Sequence, residues 1–318
     1  MVRSLSWLAL AAVAAAFSGG GAPPVALAPA AGHRIAGIGL DRDWLAVAED
    51  ATGSGCARVE LVRLPATTGR TLTTASGPTC ALHGEFWSSR PVANALQTVV
   101  WVVRRGGMAE AVEAKKGMPE TALVTQRGIG GPRGPFLGPV VGTNWLTLFG
   151  AYTRGMDGKL VGGAISGNDR ELWADDGTPV PTGLDDQEHA VAVGADGSIA
   201  MWQAHGARYG RVADAHARTA ALDAGRVYVL RSDAPRLDVR LLSGKLVRSW
   251  PVARSALPLL DVAGSTAVYC VGRDVHELDV ATGGDRVVAT APARLLDAQV
   301  ERGWLVYATA AKVYAVRR

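Results

Sequence analysis

The sequence predicts an all-β chain built from a series of similar four-stranded units, and three features carry that expectation. A short apolar stretch keeps returning, as DWLAV (43–47), VVWVV (99–103), NWLTL (144–148), SIAMW (198–202), RVYVL (226–230), TAVYCV (266–271) and GWLVY (303–307). Each is rich in β-branched, aromatic and aliphatic residues, is too short for a helix and is bounded by turn residues, which marks a buried strand. The segments that follow these stretches also repeat in order. Finally, helical periodicity is weak after residue 31, and 39 glycines and 16 prolines interrupt the chain too often for long helices.

The expected order within a unit places the apolar stretch innermost. A second strand follows a turn, as in VELVRL (59–64), DVRLL (238–242), VHELDV (275–280) and KVYAV (312–316). A glycine turn comes next, TTGR (67–70), SGK (243–245) or ATGG (281–284), and then a more polar outer strand such as KLVRSW (245–250) or RVVATA (286–291). Seven returns over residues 31–318 give roughly 41 residues per unit, near the period of four-stranded blades. The expected units are 34–86, 87–136, 137–188, 189–220, 221–256, 257–294 and 295–318. The 189–220 unit is short, which leaves six as the alternative count. The last unit holds three strands, and a ring must close to remove its open edge. Residues 31–34 are expected to supply the missing strand.

The segment VHELDVATGG resembles the strand and turn of the quinoprotein-like, TolB-like and WD-repeat propellers, and DVRLLSGKLVRSW and VELVRLPATTGR resemble it more loosely. The resemblance implies a β-propeller of seven, alternatively six, four-stranded blades occupying residues 31–318 as one domain. It brings no ligand with it. The Trp-Asp dipeptide of WD repeats is absent, and SGNDRELW (166–173) is out of register with a sialidase-type Asp box.

The N-terminus reads as an export signal. Arg3 precedes an apolar run from Leu5 to Phe17, and the small-residue stretch SGGGAPPVALAPA follows. The run is shorter than the roughly 20 residues a membrane span needs. Ala28 and Ala30 fit the small-x-small pattern, so residues 1–30 are expected to be the signal peptide, with an uncleaved anchor as the alternative. The mature chain would then be secreted or periplasmic. It has no second long apolar stretch and is expected to be soluble. Its net charge is only mildly positive, +4 for the whole chain, and Lys and Arg are scattered, so nucleic acid is not an expected partner.

Cys56 and Cys80 bracket a hairpin. Folding the chain about Thr68, with Gly69 closing a three-residue loop, places Cys56 opposite Cys80 and Leu64 opposite Leu72. Opposed strand residues are close enough for a disulfide, and an exported compartment permits one, so Cys56–Cys80 is the expected bridge. Cys270, inside AVYCV, reads as a buried inert thiol.

No catalytic constellation is legible. The chain lacks Gly-x-Ser-x-Gly, His-Glu-x-x-His, Cys-x-x-Cys and phosphate-loop patterns. His205 and His216 read as loop histidines. RGIGGPRGPFLGP (127–139) reads as a connector, and Asp175-Asp176 and Asp185-Asp186 read as turn acids. Trp44, Trp101, Trp145, Trp202 and Trp304 fall in the repeated stretch and read as packing between units. Phe86 and Trp87 lie among turn residues in HGEFWSSRP (83–91). They are either buried under their loop or an exposed anchor for a partner. No metal or cofactor is expected, and the quinone of a dehydrogenase reading would need a deep polar channel with stacking aromatics. The expected function is recognition of a protein or glycan by loops at the channel mouth. The alternative is a propeller enzyme, a hydrolase, lyase or quinoprotein-like dehydrogenase, whose groups converge from several blades.

Overall fold

The computed structural model describes residues 24–53, 58–67, 70–74, 92–93, 98–105, 108–115, 121–127, 137–142, 147–154, 160–166, 171–176, 181–184, 189–194, 196–203, 208–254 and 257–318. All of its regular structure is β. The first sheet runs from β2 (His33–Asp41) through β3 (Trp44–Ala51) and β4 (Arg58–Arg63) to β5 (Arg70–Thr74); the three-residue β1 (Val25–Leu27) precedes it. The second sheet holds β6 (Val92–Ala93), β7 (Thr98–Arg105), β8 (Met108–Lys115) and β9 (Thr121–Arg127). The third holds β10 (Leu137–Gly142), β11 (Thr147–Arg154), β12 (Leu160–Ser166) and β13 (Glu171–Asp176), the fourth β14 (Pro181–Leu184), β15 (His189–Val193), β16 (Ile199–Gln203) and β17 (Arg208–Val212). The fifth contains β18 (Ala217–Asp223), β19 (Arg226–Arg231), β20 (Arg236–Leu241) and β21 (Leu246–Pro251), the sixth β22 (Leu260–Ala263), β23 (Thr266–Val271), β24 (Asp274–Asp279) and β25 (Asp285–Thr290). In the last sheet β26 (Leu295–Glu301), β27 (Trp304–Thr309) and β28 (Val313–Arg317) are joined by β1 on the outside of β28. The all-β expectation holds, and each sheet is four-stranded and antiparallel.

The innermost strands are neighbours in the cyclic order β2, β6, β10, β14, β18, β22, β26 and back to β2. The core lies between successive sheets. Tyr228, Leu230, Leu237 and Val239 of the fifth pack on Leu260, Val262, Tyr269 and Leu278 of the sixth. Leu27, Ile35, Ile38, Leu45, Trp304, Val306 and Val313 form one cluster across the first and last sheets. Each such side chain contributes about 1.5–3 kcal/mol by leaving water.

The structure corrects three expectations about strand order. The recurring apolar stretch is the second strand of its sheet, not the innermost, as β3, β19, β23 and β27 show. A second strand has a neighbour on either side and a sheet against each face, so it carries the continuous apolar run. The innermost strands carry small and polar residues instead, HRIAGIGLD in β2 and LLDAQVE in β26. SIAMW is a third strand, so the fourth sheet begins at Pro181 rather than at 189. Its first strand, PTGL, has no apolar run to announce it. The strand that completes the last sheet is Val25–Leu27, with Val25 facing Ala315 and Leu27 facing Val313, whereas His33 and Arg34 belong to β2.

The repeat extends to single backbone bonds. At one end, Leu64, Val280 and Arg318 donate N–H to the carbonyls of Asp43, Ser265 and Gly303. The turns there are tight. Ala224 and Gly225 alone link β18 to β19, both at positive φ (47° and 71°), the geometry that follows the right-handed strand twist. Every outermost strand except β1 also carries a bulge, at Leu72, Leu123, Leu172, Tyr209, Val247 and Val288. A bulge bends the strand and blunts an edge that would otherwise pair with another chain.

The ATGG turn shows why its glycine is there. Asp279 accepts hydrogen bonds from Ala281 N, Thr282 N and Thr282 Oγ1 and so holds the turn. Gly283 sits at φ +83°, and a Cβ on it would lie 2.4 Å from the Trp250 ring of the preceding sheet. Trp250 Nε1 donates to Val280 O at 3.1 Å, and Arg248 caps Ala281 O at 2.6 Å.

The hairpin argument for the disulfide does not survive the register. Leu61 faces Arg70, not Ala75, as folding about Thr68 requires. Cys56 and Cys80 themselves lie outside the described residues.

Candidate functional site

Antiparallel order sorts the loops onto two ends. The turns between first and second strands, and between third and fourth, lie at one end. The connectors between sheets and the turns between second and third strands lie at the other. Backbone bonds stitch that second end together. Val252 N donates to Pro235 O, Ala291 N to Arg273 O, Ala217 N to Gly197 O, and Ile35 N to Ala310 O across the first and last sheets. The connectors 252–259 and 291–294 are anchored at their first residues by these bonds, and connecting loops can vary without disturbing the sheets.

Along the sixth and seventh sheets this end carries Arg254, Arg273, Arg294 and Lys312, all exposed. None of the four forms an ion pair among the described residues. Arg273 Nη1 reaches only the Pro292 carbonyl, at 3.4 Å. Asp274 beside them accepts from Thr290 Oγ1 at 2.6 Å. The neighbouring sheets differ, because their cations are engaged. Arg34 meets Asp50, and Arg231 grips Asp233 through Nε (2.8 Å) and Nη2 (2.6 Å), which pulls the Asp233 carboxyl down to about 2.

Beneath the rim, one position carries a polar group in each sheet whose side chains are described from second strand to third strand with this register. Glu60, Asp238, His276 and Tyr314 face Val47, Val229, Tyr269 and Tyr307. Asp238 is 1% exposed and is held by Ser249 Oγ (2.6 Å) and Arg240 Nη2 (3.0 Å). In the sixth sheet Tyr269 donates to Asp285 Oδ2 (2.5 Å) and accepts from Ala253 N (3.0 Å), while His276 stacks on its ring at 4.8 Å. Burial and Asp285 hold the Tyr269 hydroxyl well above its ordinary value. This network fastens the 252–259 connector to its sheet. The Tyr269 hydroxyl serves this network as donor to Asp285 and acceptor from Ala253.

The innermost strands carry a second polar set. Gln299 Nε2 donates to Ile38 O (2.9 Å) and Asp297 Oδ2 (3.0 Å), and its Oε1 accepts from Leu40 N (2.7 Å). At the same register one sheet earlier, Asp261 Oδ2 accepts from Val300 N at 2.8 Å. These bonds lock neighbouring sheets together at the axis.

Of the site residues expected from sequence, Phe86, Trp87, Cys56 and Cys80 lie outside the described residues, as do His205, Asp185, Asp186 and Trp145. Asp175 and Asp176 are strand residues facing Gly162 and Val161, not turn acids. His216 is an exposed connector residue at φ 47° whose carbonyl accepts from Ser232. Cys270 is buried within β23, and Trp304 joins the core between the last and first sheets. The four rim cations went unnoticed in the sequence. Their signal is one basic residue per successive loop, in VARS, GRD, APAR and AAK, legible only once the strand order is right.

No protein-family model matches the chain, and no curated protein matches it. Solved structures do. A chain of the Mitotic Checkpoint Complex superposes with a TM-score of 0.63 at 11% identity, covering 88% of this chain and 89% of that one. Sqt1 of Saccharomyces cerevisiae gives 0.56 at 13%, covering 90% and 83%, and BamB from Moraxella catarrhalis gives 0.51 at 13%, covering 89% and 83%. All are of WD40 or β-propeller type. At such identities the likeness shows the fold alone, and that fold is propeller-like.

Proposed function

We propose that this chain is a seven-bladed β-propeller, exported from the cytosol, that serves as a binding scaffold through the loops at its connector end. The observation that carries the reading is the run of Arg254, Arg273, Arg294 and Lys312 on two adjacent sheets, exposed and without carboxylate partners among the described residues. Long basic side chains left unengaged on a rigid rim favour a partner that brings its own carboxylates, an acidic protein surface or an acidic glycan. The signal-like N-terminus supports the exported location. The mechanism is recognition without bond chemistry.

The test is capture. The mature protein is used to retain partners from extracellular and envelope fractions, with mass spectrometry and glycan analysis of what stays bound. Retention is expected to fall steeply as salt rises. A variant carrying Arg254→Glu, Arg273→Glu, Arg294→Glu and Lys312→Glu is expected to lose it. Equal retention by the reversed variant overturns the assignment of this face.

A further inference from the structure

The strand that completes the last sheet lies inside the segment the sequence marks for removal. Val25, Ala26 and Leu27 pair with Ala315, Tyr314 and Val313. Leu27 is 6% exposed, within the cluster that joins the last sheet to the first. The link that follows is also anchored. Ala30 N donates to Glu49 Oε2 at 3.1 Å, and the Glu49 side chain is 1% exposed. Gly32 O accepts from both Thr52 N and Thr52 Oγ1.

A cut after Ala30 would therefore remove an entire outer strand, bare the edge of β28, open the cluster around Leu27 and take from a buried carboxylate its backbone donor. Exposed strand edges invite pairing with other chains. Sequence offers another place. Gly19 and Gly21 have the small-x-small spacing and would leave Ala22 at the new terminus.

We propose that the working protein keeps Pro24 and everything after it, and that the export cut, if made, is hydrolysis of a peptide bond upstream of Pro24 rather than after Ala28 or Ala30. One amide bond breaks, water adding hydroxyl to the acyl carbon and a proton to the departing nitrogen. The location of the cut rests on the export reading above; the retention of β1 does not.

The experiment uses the full chain with its own N-terminus. Intact mass and N-terminal sequencing of the exported product are expected to place the first residue at or before Pro24. Ala28→Gln with Ala30→Gln, which blocks the downstream sites, is expected to leave that terminus unchanged. Leu27→Asp is expected to lower the thermal midpoint by about 5 °C or more, and Leu27→Ala by less. A folded exported product beginning at Pro29 or Ala31, processing abolished by the double substitution, or an unchanged midpoint for Leu27→Asp overturns the proposal. A chain recovered uncut with a lowered Leu27→Asp midpoint upholds the retention of β1 and sinks the export reading instead.

Discussion

Tyr269 and Tyr307 occupy the same place in successive sheets, and their hydroxyls have opposite fates. Tyr269 OH accepts from Ala253 N and donates to Asp285. Tyr307 OH is buried with no hydrogen-bond partner among the described residues, and burial pushes it up to about 12. The backbone explains the difference. Ala253 follows Val252, whose N–H meets Pro235 O; the residue following the matching Ala291 is Pro292, which has no N–H to give. Asp285 faces Leu278 on β25, but β1 takes that place in the last sheet, and Pro24 precedes its first residue. Replacing each tyrosine by phenylalanine removes one oxygen from the same register. At Tyr269 the loss strands the Ala253 N–H and a charge-assisted bond to Asp285, a cost of about 2 kcal/mol. At Tyr307 it removes an unpaired buried hydroxyl, so the change should lie between neutral and about 1 kcal/mol stabilising. Urea unfolding of the two variants in one buffer reads the difference, about 2–3 kcal/mol between them. If Tyr307→Phe destabilises as much as Tyr269→Phe, the claim that the Tyr307 hydroxyl is buried without a partner is wrong.

Three further outcomes are expected. Gln299→Leu removes three bonds at the axis, two of them to the backbone of the first sheet, and should lower stability by about 2–4 kcal/mol; a loss below about 0.5 kcal/mol would mean the contact between first and last sheets does not need them. Gly283→Ala should cost about 2–4 kcal/mol, from positive φ and from the clash with Trp250. In the Trp250→Leu background the clash part should vanish and only the conformational part remain, which a double-mutant cycle measures. Burial pushes the Glu49 carboxyl above its ordinary value, Ala30 N–H and Arg58 opposing only partly. A carboxyl raised in the folded state favours folding while protonated, and that advantage is lost as pH rises through the raised value. The stability of Glu49→Gln relative to the parent should therefore grow from pH 4 towards neutrality, and a pH-independent difference in unfolding midpoints would refute this.

The fold was legible where side chains must be apolar on both faces. The DWLAV, RVYVL, TAVYCV and GWLVY stretches stand out because second strands are enclosed on every side, and their spacing carries the repeat. What the sequence hid were strands with mixed surroundings. PTGL at 181–184 is an innermost strand without an apolar run, and LLDAQVE at 295–301 is another, where Asp297 and Gln299 are held by hydrogen bonds rather than announced by hydropathy. That is why the apolar stretch was misplaced as innermost. The register of the first hairpin was misjudged for a different reason. Symmetry about Thr68 centres the turn too late: Leu61 faces Arg70, which puts the centre between Pro65 and Ala66, and the bulge at Leu72 then shifts the later pairs by one, neither of which leaves a trace in hydropathy. At the candidate face, four cations are visible as residues, but only the two-ended sorting of loops by antiparallel topology reveals that they share a rim.

The departures from the repeat gather at the last sheet, and its assembly gives the reason. Every other sheet is closed by a hairpin from its own third strand, so its outer strand is held at high local concentration and can afford a bulge and a polar partner such as Asp285. The last sheet draws its outer strand from the opposite end of the chain, across the largest loop the molecule closes, which carries the greatest closure entropy. Among the described residues three pair there, without a bulge, and Tyr307 lacks the partners that Tyr269 keeps. The bonds of Gln299 to β2 and of Ile35 to Ala310 bind the same boundary from the axis and from the connector end, independently of β1. A boundary held at three separate places can lose one and remain closed. Local opening, read by hydrogen exchange, should accordingly begin at β1 and β28 while the amides of Leu40 and Ile35 stay protected.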